Sequence, residues 1–102
     1  MMHTNIHHMI HSDKHVSDFE CIFSDGSQLG LSIDTYYGKI LYITEGTQAS
    51  RWPALMEGDY IISVQGNYVG DDPSLIPSII YSAQRPVTIG FKKSKKYLKS
   101  YL

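Results

Sequence analysis

The stretch Gln28-Leu29-Gly30-Leu31-Ser32-Ile33 constrains this chain more than any other. Leu29, Leu31 and Ile33 alternate with Gly30, Ser32 and Asp34, a period of two that gives a strand one apolar face and one polar face. A polar turn, Ser24-Asp25-Gly26-Ser27, leads into it. The glycine between two aliphatic residues lets the backbone aim N–H groups at open space, because no side chain blocks the approach. Such N–H groups converging on one point form a nest for an anion. Beside apolar walls and a free strand edge, the nest suits the carboxylate end of another protein.

The flanking sequence places this strand among others. Val16 to Phe23 reads as a strand with Phe19, Cys21 and Phe23 on one face. Thr35-Tyr36-Tyr37-Gly38 turns into Lys39-Ile40-Leu41-Tyr42-Ile43, so the second and third strands form a hairpin. After Glu45-Gly46-Thr47, the segment Gln48-Ala49-Ser50-Arg51 is too short for a long helix. Trp52-Pro53 limits it further, since a residue before proline avoids helical angles. Gly58-Asp59 is a structural turn before Tyr60-Ile61-Ile62-Ser63-Val64, a strongly apolar strand. Gln65-Gly66-Asn67 then turns into an extended piece at Tyr68-Val69. Leu75, Ile76, Ile79, Ile80 and Ala83 fall at helical spacing. Pro77 is compatible with that helix if Ser74 is its N-cap, because the first turn has no intrahelical partner for the missing N–H. The helix is therefore expected to begin at Leu75. Pro86 to Phe91 is the last strand.

At 102 residues the chain is expected to hold one domain, 16–92, between a flexible His-rich arm, 1–15, and a basic tail, 93–102. Nine basic and ten acidic residues argue against a nucleic-acid binder. The five lysines after residue 91 are Lys92, Lys93, Lys95, Lys96 and Lys99. Interleaved with Tyr97, Leu98, Tyr101 and Leu102, they make a weak contact with an anionic membrane feasible. They fit equally well as solvated neighbours of a packed tail. His3, His7, His11 and His15 recur every fourth residue, and only adjacent pairs would share a metal ion on a helix. No strong cap or apolar face supports that helix, so the arm reads as solvated and without a metal. Cys21 is the single cysteine and reads as a small core residue. No apolar run is long enough to span a membrane, and the amino terminus lacks a secretory h-region. A cytoplasmic location is expected, with the tail able to reach the inner face of a membrane. All five histidines lie in the arm, and no nucleophile–base–orienter set can be named, so no enzymatic activity is expected.

Taken in order, these segments resemble a PDZ domain from about Val16 to Lys92. Gln28-Leu29-Gly30-Leu31 is similar to that family's Gly-Leu-Gly-Phe carboxylate loop. Gly46-Thr47-Gln48-Ala49 followed by Leu55-Met56-Glu57-Gly58-Asp59-Tyr60-Ile61-Ile62-Ser63-Val64-Gln65-Gly66 resembles its most specific sequence block. A complete strand precedes the loop, as in the eukaryotic strand order. The resemblance implies a mainly-β α+β fold, a small, partly open barrel or sandwich of five to six strands with one short and one longer helix. It implies no cofactor and a scaffold or adaptor role in binding the C-terminal peptide of another protein. That peptide would add as an antiparallel strand along Leu31, Ser32, Ile33 and Asp34, its carboxylate on the N–H groups of Leu29, Gly30 and Leu31. Leu29, Leu31, Ile33 and Ile80 would line the pocket for its last side chain, with Pro77 on the same helix.

Two positions depart from the family pattern. The family usually carries Arg or Lys shortly before the carboxylate loop, and Ser24 to Gln28 contains neither. The first helix residue, which selects the third-from-last ligand residue, is Ser74 in the register of Gly58-Asp59 and Pro73 in that of Val87-Thr88-Ile89. Neither is the histidine that favours Ser or Thr in the ligand. The alternative use of such a domain is anionic-lipid binding through the tail, or pairing with another domain through the exposed strand edge.

Overall fold

The computed structural model describes residues 15–94. The expected arm up to residue 14, and the tail residues Lys95, Lys96, Tyr97, Leu98, Lys99, Tyr101 and Leu102, lie outside the described residues. The strands are β1 (Phe19–Phe23), β2 (Leu31–Ile33), β3 (Ile40–Ile43), β4 (Tyr60–Val64), β5 (Asn67–Tyr68) and β6 (Val87–Lys92). Among the described residues one α-helix, α1, spans Ile76–Ser82. Single 3₁₀ turns occur at Ala49–Arg51 and Pro73–Leu75. This is a mainly-β α+β arrangement, and its sheets remain open.

Four strands form one antiparallel sheet in the order β1-β6-β4-β5, and among the described residues β2 pairs only with β3. The apolar run 60–64 is a central strand, which is why Ile61 to Val64 are all buried. β1 is a sheet edge and alternates: Cys21 and Phe23 face inward, while Glu20 and Ile22 face out. The hairpin joins β4 at a corner. Lys39 bridges Tyr60, Ile40 N–H donates to Asp59 O at 2.7 Å, and Ile61 N–H donates to Gly38 O at 2.9 Å. The core gathers between the large sheet, the hairpin and α1, with Phe23, Phe91, Ile40, Ile76, Ile89 and Val87 essentially sealed from solvent. Cys21 sits there too, and burial pushes its thiol up to about 11.

Several boundaries differ from expectation. β1 starts at Phe19 rather than Val16, since Val16 is exposed and the ladder begins with Asp18 N–H on Phe91 O. Leu29 and Gly30 precede β2, because the Leu29 carbonyl accepts from Ala49 N–H and Gly30 takes a φ of +90°. Asp34 leaves β2 because its carboxylate closes the turn, accepting from the N–H groups of Tyr36, Tyr37 and Lys39. The helix begins at Ile76, not Leu75. Its N-cap is Leu75, not Ser74, and makes no side-chain cap bond; Asp72 caps the 3₁₀ turn before it, its side chain accepting from Ser74 N–H and from the Ser74 hydroxyl. Pro77 still falls in the first α-helical turn, where a missing N–H is tolerated.

Gly58-Asp59 has the structural role read from the sequence. Asp59 is 1% exposed, and its carboxylate accepts from Met56 N–H at 2.9 Å and from Lys93 Nζ at 3.2 Å. Lys93 Nζ also donates to Ala54 O and lies 5.0 Å from the Phe19 ring centroid. Lys92 pairs with Asp18 at 3.9 Å. These two basic residues are therefore engaged with the domain. Removing either partner of the Asp59–Lys93 pair leaves a poorly compensated charge, so Asp59→Ala is expected to cost roughly 2–3 kcal/mol. Urea unfolding of Asp59→Ala, Lys93→Ala and the double variant measures this. A coupling energy of about 0.5 kcal/mol or more is expected, and additive losses would dissociate the two residues.

Candidate functional site

A groove of about 500 Å³ runs between β2 and α1. Its first wall is Gln28, Leu29, Gly30, Leu31, Ser32 and Ile33; its second is Pro77, Ile80, Tyr81 and Arg85; Thr44 and Ile61 complete the lining. The structure thus brings together Leu29, Gly30, Leu31, Ser32, Ile33, Pro77 and Ile80 from the expected set. Asp34, Pro73 and Ser74 lie outside the lining. Asp34 and Ser74 are occupied in the turns described above, and Pro73 stands near Gly38.

The hydrogen-bond direction along β2 follows from its register. Leu31 is opposite Ile43, and Thr44 N–H donates to Gly30 O at 2.8 Å. Ile33 is opposite Ile40, and Asp34 N–H donates to Lys39 O at 2.9 Å. Both pairs are therefore of the type whose own N–H and C=O groups point away from the partner strand. The main-chain groups of Leu31 and Ile33 face the unpaired edge, on the groove side. The bulge falls on β3, where one step from Ser32 to Ile33 is matched by two from Tyr42 to Ile40. At the head of the strand, the N–H groups of Leu29 and Gly30 donate to no described residue. The side chains of Leu29, Leu31, Ile33 and Ile80 meanwhile pack on the core, with Leu29 buried and the other three part-exposed.

The loop is shaped from outside itself. The buried Gln48 side chain accepts from Asp25 N–H at 3.2 Å and donates to Asp25 O at 3.1 Å and to Ser27 O at 3.0 Å. One amide thus clasps the polar turn that precedes the loop. Thr47 stands against Gly30: a Cβ built on Gly30 would sit 1.9 Å from Thr47 Oγ1 and 2.4 Å from Thr47 Cβ. Glycine is required here both for its positive φ and for this close approach. Arg85 joins the walls, with Nε donating to Asp25 O at 3.1 Å and Nη1 to Ile80 O and Ala83 O, each at 3.3 Å.

Sequence reasoning missed Gln48, Tyr81 and Arg85. Gln48 carries a faint signal, a lone amide between Thr47 and the buried Ala49. Arg85 carries a clearer one, as one of only four basic residues before the lysine-rich tail. No helix among the described residues is long and apolar enough to cross a membrane.

Gly30→Ala combines left-handed strain, about 1–3 kcal/mol, with the Thr47 overlap. It is expected to lower unfolding free energy by roughly 2 kcal/mol or more. Combining it with Thr47→Gly removes the overlap and leaves the strain, so a compensating coupling of roughly 0.5 kcal/mol or more is expected in urea unfolding. Zero coupling would assign the whole loss to φ. Acid acts at the other end of β2. The Tyr37 N–H foremost, then those of Tyr36 and Lys39, hold the Asp34 carboxyl below its ordinary range against the opposing effect of desolvation. A depressed folded pKa stabilises the fold above the unfolded value near 3.9, and that stability is lost as pH falls through the folded pKa. Asp34→Asn should therefore flatten the loss of stability as pH falls below the unfolded value of about 3.9, and an unchanged slope would dismiss Asp34 as its source.

No protein-family model and no curated protein matches the chain.

Proposed function

We propose that this chain is a PDZ-like, non-enzymatic interaction module that takes the C-terminal segment of another protein by strand addition to β2. The observation that carries this reading is the edge of β2 left unpaired among the described residues, where the N–H and C=O groups of Leu31 and Ile33 face the groove. An incoming antiparallel strand would pair with those groups. Its terminal carboxylate would meet the N–H groups of Leu29, Gly30 and Leu31, and its last side chain would rest among Leu29, Leu31, Ile33 and Ile80. Leu29 and Gly30 support this end as the carboxylate site because their N–H groups have no acceptor among the described residues. A charge-assisted hydrogen bond is roughly twice as strong as a neutral one, so a carboxylate is the fitting occupant. Tyr81, at 89% exposed, also lines the groove beside Ile80 and is open to contact from the ligand.

The decisive experiment is selection from a random C-terminal peptide library, followed by titration of the selected sequence as free acid and as amide. The free acid is expected to bind with a Kd on the order of 1–10 μM, near −8 kcal/mol, and the amide at least about tenfold more weakly. Equal affinity would sink the carboxylate assignment. Ile80→Asp, which sets a charge in the apolar pocket, is expected to weaken the free acid by about tenfold or more while the protein stays folded.

A further inference from the structure

The carboxylate end of the groove has no basic residue in the preceding turn, Ser24 to Gln28. It has one from elsewhere. Arg85, after the helix, lines the same groove as Leu29 and Gly30. Its three hydrogen bonds all go to neutral main-chain carbonyls: Nε to Asp25, and Nη1 to Ile80 and Ala83. They leave Nη2 with no partner among the described residues. Neither ion pair found among the described residues includes Arg85. The nearby carboxylate of Asp25 is turned into its own loop, accepting from Ser27 N–H at 2.9 Å. The guanidinium is thus positioned between the turn that leads into the β2 wall and the end of the helix, yet no carboxylate among the described residues is bonded to it.

We propose that Arg85 is the cation that recognises the ligand's terminal carboxylate, acting from the helix side of the groove through Nη2. This assignment rests on the peptide-binding reading above and names the charge that reading lacks. Its chemistry follows from the side chain. A positively charged N–H donor makes a charge-assisted hydrogen bond to a carboxylate, roughly twice as strong as a neutral one. Anchoring through Nε and Nη1 fixes the guanidinium, and with it Nη2, before the ligand arrives, so little side-chain freedom is lost on binding. The site therefore selects a free carboxyl terminus by two independent means, neutral N–H groups on the strand side and a fixed cation on the helix side.

The test uses the full chain and the peptide selected from the random C-terminal library, as free acid and as amide. In Arg85→Gln the acid is expected to lose about tenfold in affinity, with the amide unchanged, so the acid-to-amide ratio collapses. The amide titration reports an intact groove and separates recognition from a merely structural role. In the unmodified protein, the Arg85 Nε–Hε resonance is expected to shift on adding acid and to stay in place with amide. A preserved acid-to-amide ratio in Arg85→Gln, or an Arg85 resonance that does not respond to the acid, would overturn the role of Arg85 and leave the groove standing. Equal affinity of acid and amide for the unmodified protein, or no binder at all, would overturn both readings.

Discussion

The side-chain amide of Gln48 is the interaction on which the groove depends. It is buried, and its oxygen and nitrogen are matched to the main chain of Asp25 and Ser27. A buried amide is costly unless satisfied, and here the groups that satisfy it belong to a turn with little apolar material of its own. The turn is thereby held on the 3₁₀ segment, and Ala49 N–H fixes the Leu29 carbonyl in the same direction. With the Leu29 carbonyl so engaged and Gly30 at positive φ, the chain enters β2 with two N–H groups that have no acceptor among the described residues.

The two walls of the groove obey different constraints. The β2 wall is set by hydrogen-bond alternation: once Gly30 O and Asp34 N–H are given to the hairpin, Leu31 and Ile33 must present their main-chain groups on the other side. The helical wall is set by capping. Asp72 starts the 3₁₀ turn, α1 follows for seven residues, and Ala83 ends it in an extended conformation. Only Ile76 of α1 is fully buried, so the helix is attached to the core through few apolar contacts. Arg85 reinforces it by joining the carbonyls of Ile80 and Ala83 to Asp25, in the turn that leads into the opposite wall.

Charge is distributed by the same logic. An acidic body with a lysine-rich end suggests a basic tail free to meet an anionic surface. Lys93 instead compensates Asp59, which is nearly sealed from solvent and holds the turn before the central strand. Lys92 lies against Asp18. The tail reading consequently concerns only Lys95, Lys96 and Lys99, beyond the described residues. Arg85 has the opposite character. It is isolated in sequence, yet it stands in the groove with no bonded carboxylate partner among the described residues.

The sequence by itself determined the order of the elements and most of their faces. Cys21 and Phe23 alternate inward, 60–64 is apolar enough for a central strand, Gly30 sits where a strand must begin, and Pro77 needs the first helical turn. These are properties of periodicity and of backbone stereochemistry, carried by residues close together in the chain. The ends of β1, β2 and α1 moved because contacts with distant or competing partners overrode those preferences: Asp72 engaged Ser74 in a 3₁₀ turn ahead of the helix, and Ala49 drew the Leu29 carbonyl out of the strand. The tertiary structure alone decided which N–H groups stay open and where the groove acquires a positive charge. Gln48 reaches Asp25 across 23 residues and Arg85 reaches it across 60. Hydrogen bonds of that separation leave no periodic trace, because nothing in local propensity depends on what a folded chain brings alongside.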